Sequence, residues 1–334
     1  MAPLPNVLLV TTGGTISMAI DPVLGGPVPS LDAAAVLGLI PEGARYAAVQ
    51  AHEFGLLPGP HMTPTLMWDL ARMVDELMSH GQHAGCVITH GTDTLEETAF
   101  LLDLMLRTTR PVVLTGAMKH NSEPSPDGPR NLLGALRVAA DPAATGRGVL
   151  VAFNEEVHAA RAVVKWHSEA SGAFVSPNGG PLAMIDRDRV VFYGPPAPPR
   201  RLHPYPHTLD TAVALVTLPT GDGFGVLDYL LERGAHGIVA VGTGRGNLPV
   251  ECLPALDRAA QAGVPVVVAT RCVAGRVLDS YAYPGAGMDL VRRGVIRAGR
   301  LTPPKARLAL MVALGLSRNP ADVRAFLEAD EYGA

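Results

Sequence analysis

Val7-Leu8-Leu9-Val10-Thr11-Thr12-Gly13-Gly14-Thr15 and Gly85-Cys86-Val87-Ile88-Thr89-His90-Gly91-Thr92-Asp93-Thr94 follow one plan. Each is a short apolar run that ends in a glycine turn carrying threonine and leads into a helix-compatible segment. Parallel sheets bind ligands in the crevice beyond the carboxyl ends of their strands, so both turns are expected to open into one pocket.

Around these turns, β-branched runs alternate with helical patterns. Strands are expected at 7–12, 46–51, 85–89, 111–115, 148–153, 213–218, 237–241 and 264–269. Between them, Leu70, Met73, Val74, Leu77 and Met78 recur at helical spacing. Alternation of this kind predicts an α/β protein with a mostly parallel sheet covered on both faces. Thr94 and Glu97 fit a capping box that would open a helix through Leu106, so Thr92, Asp93 and Thr94 read equally as helix entry and as a site.

Length and composition bound the rest. At 334 residues two domains are expected, and 48% hydrophobic against 17% charged residues describes a well-buried globular chain. Prolines crowd the stretch from Gly194 to Pro206. This predicts a larger N-terminal α/β domain over 1–194, a Pro-rich linker over 195–211, and a smaller C-terminal α/β domain over 212–334. A formal charge of −4 offers no basic surface for nucleic acid. Without a membrane-length apolar stretch or a signal-like start, no membrane partner and a cytoplasmic location are expected. Cys86 and Cys272 read as buried inert thiols, and the tight pair His80 and His83 lacks a third ligand, so no metal is expected.

A threonine hydroxyl becomes a nucleophile only when a neighbouring base takes its proton. Thr12, Thr15, Thr92 and Thr94 are all candidates, with Asp93 and a lysine as activators. Gly13, Gly14 and Gly91 allow close backbone approach and can present N–H groups to an oxyanion.

Thr12-Gly13-Gly14-Thr15-Ile16 together with His90-Gly91-Thr92-Asp93-Thr94-Leu95-Glu96-Glu97-Thr98 resembles the paired signature of the bacterial-type L-asparaginases. Gly116-Ala117-Met118, Asp127-Gly128-Pro129-Arg130-Asn131-Leu132, Arg147 to Val151, Ser176 to Leu182 and Pro304-Lys305-Ala306-Arg307 are similar to that family in the same order. The resemblance implies hydrolysis of the side-chain amide of L-asparagine, or of a related small amide, to acid and ammonia through a threonine acyl-enzyme. It casts Thr15 as nucleophile, with Thr92, Asp93 and Lys165 handling protons. Gly14, Gly59, His61, Gly91, Ala117 and Asn247 are implied as substrate contacts. No metal or organic cofactor is implied, and the assembly would be a homodimer or homotetramer whose C-terminal domain completes a neighbouring subunit's site.

Three departures from the family pattern bear on substrate choice. The loop from Ser17 to Ser30 has no tyrosine. Gly59 and Pro60 stand where the family commonly has polar side chains, leaving His61 as a weak acceptor for an α-ammonium. Tyr281, Tyr283 and Gly285 occupy the stretch between Asp279 and Asp289 where an acidic partner is expected. Together these suggest a relaxed or shifted substrate: glutamine, D-asparagine or a succinamic-type amide.

Three other readings fit the sequence less well. Gly242-Thr243-Gly244-Arg245-Gly246 has the wrong spacing for a dinucleotide fingerprint. An asparaginase-like amidotransferase subunit acting on charged tRNA usually has an extra N-terminal domain. A non-catalytic sensor of such metabolites would not need Thr15, Thr92, Asp93 and Lys165.

Overall fold

The computed structural model describes residues 3–187, 189–196, 205–221 and 225–328. It divides into two compact units, 1–202 and 203–334. Residues 197–204, the middle of the proline-rich stretch, lie outside the described residues.

The first unit begins with β1 (Asn6–Gly13), the hairpin β2 (Met18–Ile20) and β3 (Pro27–Pro29), α1 (Ala33–Gly38) and β4 (Ala48–Leu57). There follow α2 (Pro64–His80), β5 (Gly85–Thr89), α3 (Leu95–Met105), β6 (Val112–Thr115), α4 (Gly128–Ala140) and β7 (Val149–Phe153). Its last strands are β8 (Glu156–Ala159), β9 (Val164–Lys165), β10 (Phe174–Val175), β11 (Ala183–Ile185) and β12 (Val190–Phe192). The main sheet has the order β12-β11-β8-β7-β6-β5-β1-β4. Its segment β4-β1-β5-β6-β7 is parallel, and β8, β11 and β12 join antiparallel.

Burial of both faces explains the unbroken apolar runs in β5, β6 and β7, every residue of which is buried. Val7, Leu9, Val87 and Val113 face one core with Val36 and Ile40 near α1 and Leu132 and Leu136 of α4. Helices α2 and α3 pack together, and their residues are absent from that cluster. In α2 the expected stripe is inward: Leu70, Val74 and Met78 are buried, each contributing about 1.5–3 kcal/mol.

Chain direction across the sheet reverses at β1. From β1 the chain crosses to β4 on one side, then returns to β5 on the other. The segments leaving β1 and β5 therefore diverge to opposite faces, which opens a crevice at their carboxyl ends.

The second unit contains β13 (Val213–Thr217), α5 (Val226–Glu232), β14 (Gly237–Gly242), α6 (Leu253–Gln261) and β15 (Val266–Thr270). It continues with α7 (Gly287–Arg292), β16 (Ile296–Arg297), α8 (Pro303–Leu316) and α9 (Pro320–Glu328). Its four strands form a parallel sheet in simple order, β13-β14-β15-β16.

Several local expectations change. Strand β4 starts at Ala48 and runs to Leu57, because a 3-10 turn over Pro41–Arg45 still governs Tyr46. Strand β15 starts at Val266, since the Val264 N–H caps α6 by donating to Ala259 O. The capping box does not form: Thr94 makes no side-chain cap, and its hydroxyl donates to Gly59 O at 2.7 Å. Cys86 is buried, but Cys272 is exposed because it sits beyond the end of β15. No helix among the described residues is long and apolar enough to cross a membrane.

Candidate active site

Three glycines set the geometry at the carboxyl ends of β1, β4 and β5. Gly14, at φ 78°, donates its N–H to Leu57 O at 2.9 Å. A methyl group on Gly14 would lie 2.4 Å from Gly91 Cα, and one on Gly91 would lie 2.5 Å from Gly59 Cα. Such distances exclude any side chain at positions 14 and 91. Gly14, Gly59 and Gly91, all expected as substrate contacts, meet here by close backbone contact.

Thr15 and Thr92 each follow a glycine of this contact, which puts both at one edge of the sheet. Thr15 is half-buried at the start of the turn Thr15–Ser17. Thr92 is 6% exposed. Lys165 Nζ donates to Thr92 Oγ1 at 3.0 Å and to Asp93 Oδ1 at 2.7 Å. The lysine arrives from 73 residues away in sequence, on the short ribbon β9–β10.

The rival threonines are otherwise occupied. Thr12 is 1% exposed and donates to Thr89 O at 2.9 Å, tying β1 to β5. Thr94 is committed to Gly59 O.

Three further residues, His90, Asp127 and Asn131, shape the turns; they stand in the family-like segments, but no local pattern marks their roles. His90 is fully buried; its Nδ1 donates to Gly91 O at 2.8 Å, and its Nε2 accepts from Thr98 Oγ1 at 2.9 Å. Burial lowers its pKa from 6.5 to about 4, so the ring is neutral at physiological pH. Asp127, just before α4, accepts the Met118 N–H at 3.1 Å and the Lys119 N–H at 2.9 Å. Asn131 Nδ2 donates to Gly116 O at 3.0 Å. These contacts fix the turn that holds Ala117, which is fully buried beside Gly128.

The β2–β3 hairpin, which spans the tyrosine-free loop from Ser17 to Ser30, is pinned at its base. Asn121 Nδ2 donates to Ile16 O at 2.8 Å, and Ser30 N–H donates to Ser17 O at 2.8 Å. Its far end is apolar and exposed, with Val23 at 90%.

The other expected contacts are more dispersed. His61 is exposed at the end of the turn Gly59–His61. Asn247 belongs to the second unit, where the turn Thr243–Asn247 closes by a β-bridge. Its Oδ1 is buried without a hydrogen-bond partner among the described residues. Asp279 pairs with Arg297 at 3.2 Å, and Asp289 accepts from Gly285 N–H at 2.9 Å and Arg293 Nε at 3.0 Å. Tyr281 and Tyr283, between them, stack at 5.8 Å. Of the histidine pair, His83 is buried and His80 exposed. No group of three His, Cys, Asp or Glu among the described residues is arranged to hold a metal.

Comparison with known proteins agrees along the whole chain. A family model described as "Asparaginase, N-terminal" matches residues 6–198, and one described as "Glutaminase/Asparaginase C-terminal domain" matches residues 212–327. A probable L-asparaginase of Deinococcus radiodurans is 43% identical over 328 residues, covering 97% of each chain. A probable periplasmic L-asparaginase of Haemophilus influenzae is 34% identical, covering 98% of this chain and 93% of its own. The crystal structure of a probable cytoplasmic L-asparaginase from Campylobacter jejuni superposes with a TM-score of 0.86 at 32% identity, covering 97% of this chain and 99% of that one. With both family models matched in order and relatives aligned nearly end to end, this chain belongs to the asparaginase family of amidohydrolases.

Proposed function

We propose that the enzyme hydrolyses the side-chain amide of L-asparagine, or of a closely related small amide, to the acid and ammonia through a threonine acyl-enzyme. In this reading Thr15 Oγ1 attacks the amide carbon, the C–N bond breaks, and water then cleaves the ester. The proton lost by Thr15 ends on the departing nitrogen. Because Lys165 Nζ donates to Thr92 Oγ1, the Thr92 hydroxyl proton is directed elsewhere and can be passed on; Lys165 then replaces it. Asp93 balances the charge of the lysine at 2.7 Å. Backbone N–H groups around Gly91 and Ala117 serve the substrate and its oxyanion, while the Gly14 N–H is held by Leu57 O.

One observation carries the reading: Lys165 meets Thr92 and Asp93 beside the glycine contact that brings residues 15 and 92 to the same edge. Ammonia release from L-asparagine, L-glutamine, D-asparagine and succinamic acid tests it. Thr15→Ala should abolish turnover with an unchanged circular dichroism spectrum. Turnover at the wild-type rate in that variant would refute Thr15 as nucleophile.

Specific observations favour a second reading, a shifted substrate. Gly59 offers no side chain, and Asp279 and Asp289 are engaged by arginines of their own unit. An exclusive preference for L-asparagine would count against it. A sensor that binds without turnover is disfavoured by the Lys165 cluster. The unpartnered Asn247 Oδ1 supports completion of a neighbouring subunit's site by the second unit, in a homodimer or homotetramer. Analytical ultracentrifugation distinguishes these from a monomer. A cytoplasmic location is supported by the description of the Campylobacter structure and opposed by that of the Haemophilus relative, and cell fractionation decides between them.

A further inference from the structure

We propose that Glu96 is a positioning residue for the reaction: its carboxylate holds the backbone of Lys165 so that the lysine ammonium meets Thr92 and Asp93. The proposal rests on the reading of Lys165 as part of the proton relay.

Lys165 lies in β9, a two-residue strand that pairs with β10 outside the eight-stranded sheet. A two-stranded ribbon of this length is marginal by itself, and a lysine stem has four rotatable carbons to restrain. Backbone direction alternates along a strand. The Trp166 N–H turns toward β10 and donates to Ala173 O at 2.6 Å, so the Lys165 N–H turns away from it. On that outer side Glu96 Oε2 accepts the Lys165 N–H at 3.0 Å.

Glu96 is the second residue of α3, in the same turn of chain as Thr92 and Asp93. One short segment therefore grips Lys165 at both ends: Glu96 holds its backbone, and Thr92 and Asp93 hold Nζ. A shift of the ribbon relative to α3 would strain all three contacts together. Other tethers act on β10 instead. Phe174 packs on Phe153 with ring centroids 4.8 Å apart, and Ser176 Oγ lies 3.0 Å from the buried His158 Nδ1. They keep the ribbon in place, while Glu96 sets where along it the lysine begins.

Glu96→Gln and Glu96→Met test this, since both are close in size to glutamate and only the first keeps an oxygen acceptor. Steady-state ammonia release, hydrogen exchange at the Lys165 amide and thermal unfolding are measured on the intact enzyme, with Lys165→Met alongside. Glu96→Met should lower kcat at least tenfold, leave KM within twofold and speed exchange at the Lys165 amide. Glu96→Gln should stay within threefold of wild type. Wild-type kcat in Glu96→Met would overturn the proposal. So would equal losses in both variants, which would mean that the charge matters and the acceptor does not. If Glu96→Met does not fold, slow exchange at Lys165 with near-normal kcat in Glu96→Gln supports the proposal, and loss of either overturns it. Wild-type kcat in Lys165→Met would instead sink the parent reading of the relay.

Discussion

Acidification should destabilise the N-terminal unit through two buried imidazoles, His90 and His158, whose pKa values burial lowers to about 4, and substitution isolates the share of His90. His90 is fully buried, and both ring nitrogens are used by the neutral tautomer, one donating to Gly91 O and one accepting from Thr98. Its pKa falls from 6.5 to about 4, with desolvation the largest cause and the Gly91 hydrogen bond opposing it. A lowered histidine pKa means that the unfolded chain binds the proton first. Stability is therefore complete above the unfolded value and is lost as the pH falls toward the folded one. Linkage over this window gives a loss of about 2 kcal/mol by pH 5 and about 3 kcal/mol by pH 4. Both tryptophans, Trp68 and Trp166, lie in this unit, so their fluorescence during urea unfolding reports it. Urea titrations between pH 7.5 and pH 4 should show at least this decline in wild type, since His158 adds its own share. The decline should be smaller in His90→Gln by that amount, because glutamine does not titrate. Parallel curves for the two proteins, or an NMR titration of His90 near 6.5, would refute the reasoning.

Further outcomes follow from contacts elsewhere. Thr92→Val should lower kcat by about 10²- to 10⁴-fold with little change in KM, and a loss below tenfold would remove Thr92 from the relay. Gly91→Ala places a methyl group 2.5 Å from Gly59 Cα, backbone that cannot swing aside, and should cost about 1–3 kcal/mol in thermal unfolding along with most activity. Arg161→Ala removes the guanidinium 3.0 Å from the Asp103 carboxylate, which is 8% exposed and also accepts the Val149 N–H; a loss of about 1.5–3 kcal/mol is expected by calorimetry.

Much of the scaffold was legible because its signals are local. The eight expected strands are present: β1, β5, β6, β7, β14 and β15 are apolar runs buried almost throughout, as strands covered on both faces must be, whereas β4 and β13 are part-exposed strands at the sheet edges. The two threonine turns were legible for a similar reason: each joins the end of an apolar run to a helix. Short edge pieces were not. Strands β8 to β12 and β16 have two to four residues each, too few to show a period, and they form only because a neighbouring backbone is there to pair with. The capping box misled because a local pattern cannot show that Gly59 O lies closer to the Thr94 hydroxyl than the helix N–H groups do.

What the amino-acid order determined by itself was the alternation of strands and helices, the two glycine–threonine turns and the chemistry available there. Those features depend on neighbours a few residues apart, through periodic burial and restricted backbone angles. Tertiary structure alone decided which hydroxyls are free and which are used up, and what stands beside them. Thr12 is spent on Thr89 O, while Lys165 and Glu96, 69 residues apart, meet at one turn of chain. Such choices depend on strand order and on close backbone contact at Gly14, Gly59 and Gly91, where space excludes a side chain, and no local period carries that information.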